Sequence, residues 1–557
     1  MMFAHLILAA VTYLSPVHFD VSLAGNFGEP RPNHFHGGLD IKTQQEEGKA
    51  VYSIGDGYVS RVTVNVGGMG NAVYVRHPEG YTSVYGHLQR FAPIIEAQVR
   101  KWQYQYHETD VDITLDATDC PVAQGQLIAL SGDTGASMGP HLHLEIHETA
   151  TWNMMDPLDF LPDLLSDSIA PKAHAFMAYP VEGMGVFCGK SEQQRFDFID
   201  SLIVDSLTAW GKVGFGIYAE DFMQGSFNRY GVRHTALLVD GNEVFSSDMD
   251  NIPVNENKMV NVWGDYDYFA KNQQWFLRSF ILPGNRLSFL KADKNNGIVD
   301  FCQERDYMLT YVLSDFFGNS SRYSFIVMAR PDTIKPIEVD DSLQLKMDED
   351  NECKTEGMEL HLSKGALLND AKVSPSARRL RKGLSDEFLL ATKSIPLYEK
   401  ATLSIQVRDE VTDTAKLYIA ARKRDKRNEL DPEQDKTVFI GGKYSDGWLK
   451  GEIDDIGDAF SVAYDDTPPT IIPLNQRVWT EEPLLLFDLK DKESGIKGFE
   501  GYLDGEFVLF DHIKKSTRII CDLRDTPVEP KGVERQLRLL ARDRIGNETV
   551  YDATVLY

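Results

Sequence analysis

Residues 141–147, HLHLEIH, alternate ionisable and apolar side chains without a break. In a β-strand such a segment puts His141, His143, Glu145 and His147 on one face, with leucine and isoleucine on the other. A core face of four ionisable groups is costly unless they meet a metal, water or each other. Taken alone, the segment also fits a solvated strand. The choice rests on what the rest of the chain brings to it.

The surrounding text, residues 21–160, consists of short strands punctuated by glycine. KAVYSIGDGYVSRVTV (49–64) reads as a half-buried hairpin with Asp56 and Gly57 at its turn. NAVYVRHPEGYTSVYGHL (71–88) reads as another, around Pro78, Glu79 and Gly80. GQLIALSGD and HLHLEIHE complete an antiparallel set. PIIEAQVRKWQYQY (93–106) breaks the pattern as a helix, and ETDVDITLDATDCP after it reads as an extended loop.

At 557 residues the chain is too long for one hydrophobic core. Beyond Pro162 it stays strand-like and repeats itself. YVLSDFFGNSSRYSFIV (311–327) resembles LLARDRIGNETVYDATV (539–555): a strand ends in Asp, Gly-Asn makes a tight turn, and a strand follows. IYAEDFMQGSFNRYGVRHTALLVDG (217–241) parallels FDLKDKESGIKGFEGYLDG (487–505), and DSIAPKAHAF at Asp167 parallels DDTPPTIIPL at Asp465. The expected fold is mainly β, an N-terminal antiparallel β domain followed by tandem β-sandwich, Ig-like domains. The expected divisions are a leader at 1–20, an N-terminal domain at 21–165 with an insertion at about 93–120, an elaborated sandwich at 166–331, a β-rich domain at 338–464 and a compact sandwich at 465–557.

Two further motifs, HFHGGLD (34–40) and YGHL (85–88), accompany GPHLHLEIH (139–147). His36, Asp40 and His143 supply two nitrogens and a carboxylate oxygen, the complement of a catalytic zinc that keeps a fourth position for water. Gly37 and Gly38 would let the backbone bend closely around the ion. His141 and His87 remain to act on the water and on the developing oxyanion. Asn33 and His34 are candidates for substrate or supporting contacts. Glu145 either orients a histidine or faces solvent, and His77 reads as structural.

The segment from about Gly25 to Pro157 closely resembles the LytM/lysostaphin-type zinc metallopeptidases, family M23, which cleave peptide bonds in peptidoglycan. GNFGEPR, GKAVYSIGDGYV, GMGNAVYVRHP and GQLIALSGDTGASMGPHLHLEI carry the likeness beside the three motifs. The resemblance implies a mostly antiparallel β core with one zinc at the floor of a groove, held by His36, Asp40 and His143. It implies His141 as general base and His87 as the group that stabilises the transition state. The implied activity is a zinc-dependent endopeptidase acting on peptidoglycan cross-links or stem peptides. Two features depart from the family pattern. An insertion including KWQYQYHETDVD is placed to line, narrow or cover the groove, and a long β-rich tail follows, an arrangement similar to M23 proteins of Bacteroidetes-type bacteria. A rival reading is a catalytically silent or regulated scaffold that uses the groove and tail to engage peptidoglycan or a partner hydrolase. His141 and His87 favour an enzyme, since neither is needed merely to retain zinc.

A formal net charge of -27 repels phosphates and argues against nucleic acid. No GxSxG or complete nucleotide-binding glycine signature is present, and the five cysteines show no metal or disulfide spacing. The apolar run at residues 3–14 reads as a secretion leader with a shortened start, implying export to the periplasm or cell envelope. It is too short to span a membrane, and no later run reaches the length of a span. The expected partners are peptidoglycan peptides and, through the C-terminal β domains, a cell-envelope protein.

Overall fold

A computed structural model describes residues 13–203, 206–337, 341–408, 410–423, 436–479 and 481–557. Most of the apolar leader run therefore lies outside the described residues. Packing of the N-terminal domain starts at Tyr13, which is buried with its ring centroid 4.9 Å from that of His77. No helix among the described residues is long and apolar enough to cross a membrane.

The chain is mainly β, as its alternating text predicts. The N-terminal domain is built on a sheet with the strand order Leu23–Gly25, Gly38–Lys42, His141–Glu148, Tyr81–Gly86, Ala72–Arg76, Gly57–Val64 and Val111–Thr114. A second, three-stranded sheet joins Ala50–Tyr52, Leu127–Ser131 and Leu88–Phe91. Leu39, Ile41, Leu142, Leu144 and Ile146 are fully buried, so the apolar face of the alternating strands makes the core.

Three expectations change here. Residues 49–64 are not a hairpin: Ala50–Tyr52 pairs with Leu127–Ser131, whereas Gly57–Val64 pairs with Ala72–Arg76 in the large sheet. Between them Ser53 N–H donates to Gln126 O and Ile54 N–H to the Tyr85 hydroxyl, so the backbone keeps hydrogen bonds as it crosses between sheets. Alternation reports that a segment is extended, and says nothing of its partner. Likewise GQLIALSGD and HLHLEIHE lie in different sheets and touch through the Gly132–His141 bridge. The loop expected after the helix instead contains Val111–Thr114, which forms the large sheet's edge along Arg61–Val64. The hairpin at residues 71–88 and the helix Pro93–Tyr106 occur as their sequences predict. The helix starts on Pro93, ends at His107 in the left-handed conformation, and buries the stripe Ile95, Val99 and Gln103.

Beyond residue 166 the chain makes further β modules. The sheet of the first includes Lys172–Phe187, Leu207–Glu220, Ser320–Ala329 and Asp306–Ser314. Its core is continuous with that of the N-terminal domain: the Phe35 ring lies 6.0 Å from Trp263 and 5.9 Å from Phe289. Residues 345–462 contribute a separate core between two five-stranded sheets. Residues 479–555 contribute another between two four-stranded sheets.

Candidate metal centre

Three adjacent strands position the site. In the antiparallel ladders His143 stands opposite Asp40 on one side and Gly86 on the other, so the Asp40 and His143 side chains share a face. His87 follows Gly86 with φ 59°, a left-handed conformation uncommon outside glycine. It marks the point where the chain leaves the large sheet for the small one. Its N–H is anchored on Met69 O at 2.8 Å.

Each site histidine has one ring nitrogen committed away from the centre. His36 Nδ1 donates to Asn26 O at 2.6 Å, His87 Nδ1 to Thr134 O at 2.8 Å, and His141 Nδ1 to Gly139 O at 2.8 Å. A carbonyl oxygen can only accept, so these bonds set the tautomers and leave each Nε2 as a lone pair. His143 is reversed: its Nε2 donates to Glu145 Oε1 at 2.9 Å, freeing Nδ1.

The free nitrogens of His36, His141 and His143 converge on Asp40. Its Oδ1 lies 3.0 Å from His36 Nε2, 2.8 Å from His143 Nδ1 and 3.3 Å from His141 Nε2. His36 Nε2 and His143 Nδ1 are 3.1 Å apart. Two lone pairs facing across that gap repel unless a positive centre lies between them. A tetrahedral ion with bonds of roughly 2.0–2.1 Å holds its donors about 3.3 Å apart, so the His36, Asp40 and His143 set fits such a metal. The His87 ring stands beside this group, 4.7 Å from His141 and 5.7 Å from His143 between centroids.

The electrostatics point the same way. Burial pushes His36 down to about 4 and, with His143 and His141 beside it, His87 down to about 3. Both are then neutral at neutral pH, and neutral imidazole is the form that binds metal. Burial opposes the charge on Asp40, but the surrounding His36, His141 and His143 hold its carboxyl well below the usual range. Burial also disfavours a charged His143, yet its bonds to Asp40 and Glu145 raise it to about 9. The pocket thus favours a positive charge between Asp40 and His143, supplied by a proton or a metal.

Glu145 is buried rather than solvated, and its oxygens accept from His143 Nε2 at 2.9 Å and His147 Nε2 at 2.7 Å. The ionisable face of the strand therefore satisfies much of itself. Gly37 and Gly38 make room for Glu145 and its strand rather than for an ion. A Cβ on Gly38 would fall 2.0 Å from Leu144 O, and one on Gly37 would fall 2.5 Å from Glu145 Oε1. Asn33 is engaged by Asn261 of the next module at 3.2 and 2.9 Å. His34 is exposed, and His77 is a buried structural residue held by Asp56 O and Ser83 Oγ, both at 2.8 Å.

Residues 34–104 match Peptidase family M23, and residues 342–465 match the Zu5-like domain. The N-terminal domain belongs to peptidase family M23. An "Uncharacterized metalloprotease" of Haemophilus influenzae is 35% identical over 120 residues, which are 22% of this chain and 19% of that relative. The "Peptidoglycan DD-endopeptidase ShyA" of Vibrio cholerae is 33% identical over 138 residues, 24% of this chain and 26% of that one. A crystal structure of a zinc-containing peptidase from Vibrio cholerae is 29% identical, with a TM-score of 0.18, and covers 24% of this chain and 35% of that one. The chain thus spans about a fifth to a quarter of the length of these curated relatives.

Sequence reasoning missed some supports of the M23 site. Arg31 Nη2 donates to Asp40 Oδ2 at 2.7 Å and braces the carboxylate from the side away from the histidines. It lies in the GNFGEPR segment, but its residue type does not separate a brace from a surface arginine. The carbonyls of Asn26, Thr134 and Gly139 carry no side-chain signal at all. The insertion in the M23 domain docks on the C-terminal module. Arg100 makes two 3.1 Å bonds to Asp511, Thr109 Oγ1 donates to Phe510 O at 3.0 Å, and His107 stacks on Phe507 at 4.5 Å.

Proposed function

We propose that this protein is a zinc endopeptidase that hydrolyses peptidoglycan cross-links, exported by way of its apolar N-terminal run. The observation that carries the reading is the convergence of His36, Asp40 and His143 donor atoms within 4.8 Å of one another, with His141 and His87 at their margin. Two nitrogens and a carboxylate oxygen suit zinc. The name of the Vibrio cholerae relative favours a D,D bond as the target.

A zinc ion at this centre would supply Lewis acidity for amide hydrolysis. The remaining work falls to the side chains. His141, with Nδ1 committed to Gly139 O, offers Nε2 to accept a proton from the attacking water and return one to the leaving amine. The water oxygen adds to the carbonyl carbon, the C–N bond breaks, and the amine leaves protonated. His87, with Nδ1 committed to Thr134 O, turns a bare Nε2 toward the centre, and would donate to the oxyanion only once negative charge developing beside it draws a proton from solvent onto that nitrogen. Glu145 orients His143, and Arg31 orients Asp40.

The test is release of muropeptides from purified peptidoglycan by the zinc-loaded protein, beside His141→Ala with its zinc content measured. Release by the wild type and loss in a variant that still holds zinc is the expected result. No release from the zinc-loaded wild type would remove the enzyme reading. A regulated scaffold is the second reading, favoured by contacts of Lys514 with Glu47 and of Lys515 with Asp133, next to the Thr134 carbonyl that sets His87. If that contact restrains the site, removing residues 466–557 raises release; unchanged release discards the restraint.

A further inference from the structure

The repeated modules place acids at matching positions: Asp167, Asp221 and Asp315 in the first, and Asp465, Asp491 and Asp543 in the second. Both copies close the Gly-Asn turn in the same way. Asn319 gives its N–H and Nδ2 to the two oxygens of Asp315 at 2.8 and 2.7 Å, and Asn547 does the same to Asp543, both at 2.7 Å. The same Nδ2 also reaches the carbonyl of the module's first acid, Asp167 O at 3.2 Å or Asp465 O at 3.0 Å. The repeat is therefore a clasp that brings the start of the module to its last hairpin.

The copies differ in what the clasped acids meet. In both copies the first acid accepts from the N–H two residues on, Ile169 to Asp167 at 3.3 Å and Thr467 to Asp465 at 3.1 Å; in the second, Asp465 accepts from Ser494 as well, and Asp543 Oδ1 from Ile545 and Gly546. In the first, Asp167, Asp221 and Asp315 bring carboxylate oxygens within 4.8 Å of one another; in the second, Asp465 and Asp491 come equally close only together with the exposed Glu493. The Asp221 residue is 2% exposed, and its Oδ1 has no hydrogen-bond partner. Asp167 Oδ2 is buried without one as well. Among the described residues no Lys, Arg or His forms an ion pair with any of the three. Neighbouring His174 and Arg229 are taken up by Glu220. Buried carboxylates left facing one another repel and lack the solvation they had in water.

We propose that Asp167, Asp221 and Asp315 hold a calcium ion that ties the start of the 167–331 module to its strand Leu207–Glu220 and its hairpin at 306–329. The donors are all hard oxygens. Calcium, at roughly 2.3–2.6 Å from each ligand, can bridge oxygens up to about 5 Å apart, whereas magnesium at about 2.1 Å reaches only about 4.2 Å. Water and the second carboxylate oxygens complete the shell.

The test uses the full-length, zinc-loaded protein in buffer stripped of calcium by a chelating resin, with calcium chloride as the probe. Calorimetry should show calcium uptake by the wild type that is reduced by one equivalent in Asp221→Asn. Calcium should raise the unfolding temperature of the wild type more than that of this variant. Without calcium the variant should be at least as stable as the wild type, because it removes an unpartnered buried charge. If Asp221→Asn fails to fold, Asp167→Asn at the half-buried member decides, with an expected loss of calcium affinity of tenfold or more. The proposal is overturned if the wild type takes up no calcium at about 10 mM, well above the range of extracellular sites. It is equally overturned if the folded variants bind calcium as the wild type does; Asp221 is then simply a protonated acid.

Discussion

Among the described residues three groups gather metal-type donors, and two of them, the M23 centre and the acids of the 167–331 module, are built on opposite plans. At the M23 centre each histidine is aimed by a bond on its far nitrogen, to Asn26, Thr134 and Gly139 carbonyls or to Glu145. Every member is held by a neighbour before any ion arrives. In the 167–331 module Asp315 is clasped by Asn319, while Asp221 and Asp167 each keep a buried oxygen with no partner. The first plan pre-orients nitrogen and oxygen donors for chemistry, with His141 and His87 at the margin. The second leaves unpartnered acid oxygens between three chain segments, which suits an ion that fastens structure. The distinction turns on orientation and supporting bonds, because both groups would look alike as a count of ligands.

The largest effect separating the plans should come from Asp40→Ala. It removes the oxygen on which three imidazole nitrogens converge, and zinc retention and muropeptide release should both fall below detection. Retained stoichiometric zinc in that variant would mean that the converging nitrogens suffice and that the carboxylate is dispensable. Glu145→Gln probes the supporting bonds one step out. A glutamine cannot accept from both His143 and His147 with charged oxygens, so zinc affinity should weaken by about 10–100-fold, the usual range for a lost outer partner of a ligand. Competition against a chromophoric chelator measures it. An unchanged affinity would show that the strand face does not aim His143 and would erase the contrast with the carboxylate cluster.

What could be read from the sequence follows from how local each signal is. HFHGGLD and HLHLEIH each carry their donors within a few residues, and the antiparallel pairing of Asp40 with His143 joins them as expected of a β domain. The helix Pro93–Tyr106 was legible because Pro93 starts it and the buried stripe recurs within it. Residues 49–64 misled because a period of two fits any pleated partner, and the true partner, Leu127–Ser131, lies far along the chain. Glu145 showed no sequence sign of burial, since its donor and its space depend on His147, Gly37 and Gly38 folding around it. The acids Asp167, Asp221 and Asp315 are too dispersed for any motif. Only the repeat marked their positions, and it marked them equally in a copy where backbone amides satisfy them.

The smallest effect is the most discriminating, because it compares the two copies directly. Asn319→Ala and Asn547→Ala remove the same side-chain bond, Nδ2 to Asp315 Oδ2 or to Asp543 Oδ2, each at 2.7 Å. In calcium-free buffer both should destabilise by about 1–3 kcal/mol, the cost of leaving a buried charged acceptor short of a donor. Calcium should separate them. In the 167–331 module an ion between the carboxylates takes up the charge that Asn319 no longer meets, so part of the lost unfolding temperature returns. In the 465–557 module Asp543 keeps the amides of Ile545, Gly546 and residue 547, and its loss at Asn547 should stay whole at every calcium concentration. Recovery in both variants would assign an ion to each copy. Recovery in neither would make the two copies alike, with Asn319 and Asn547 serving as hydrogen-bonded clasps and nothing more.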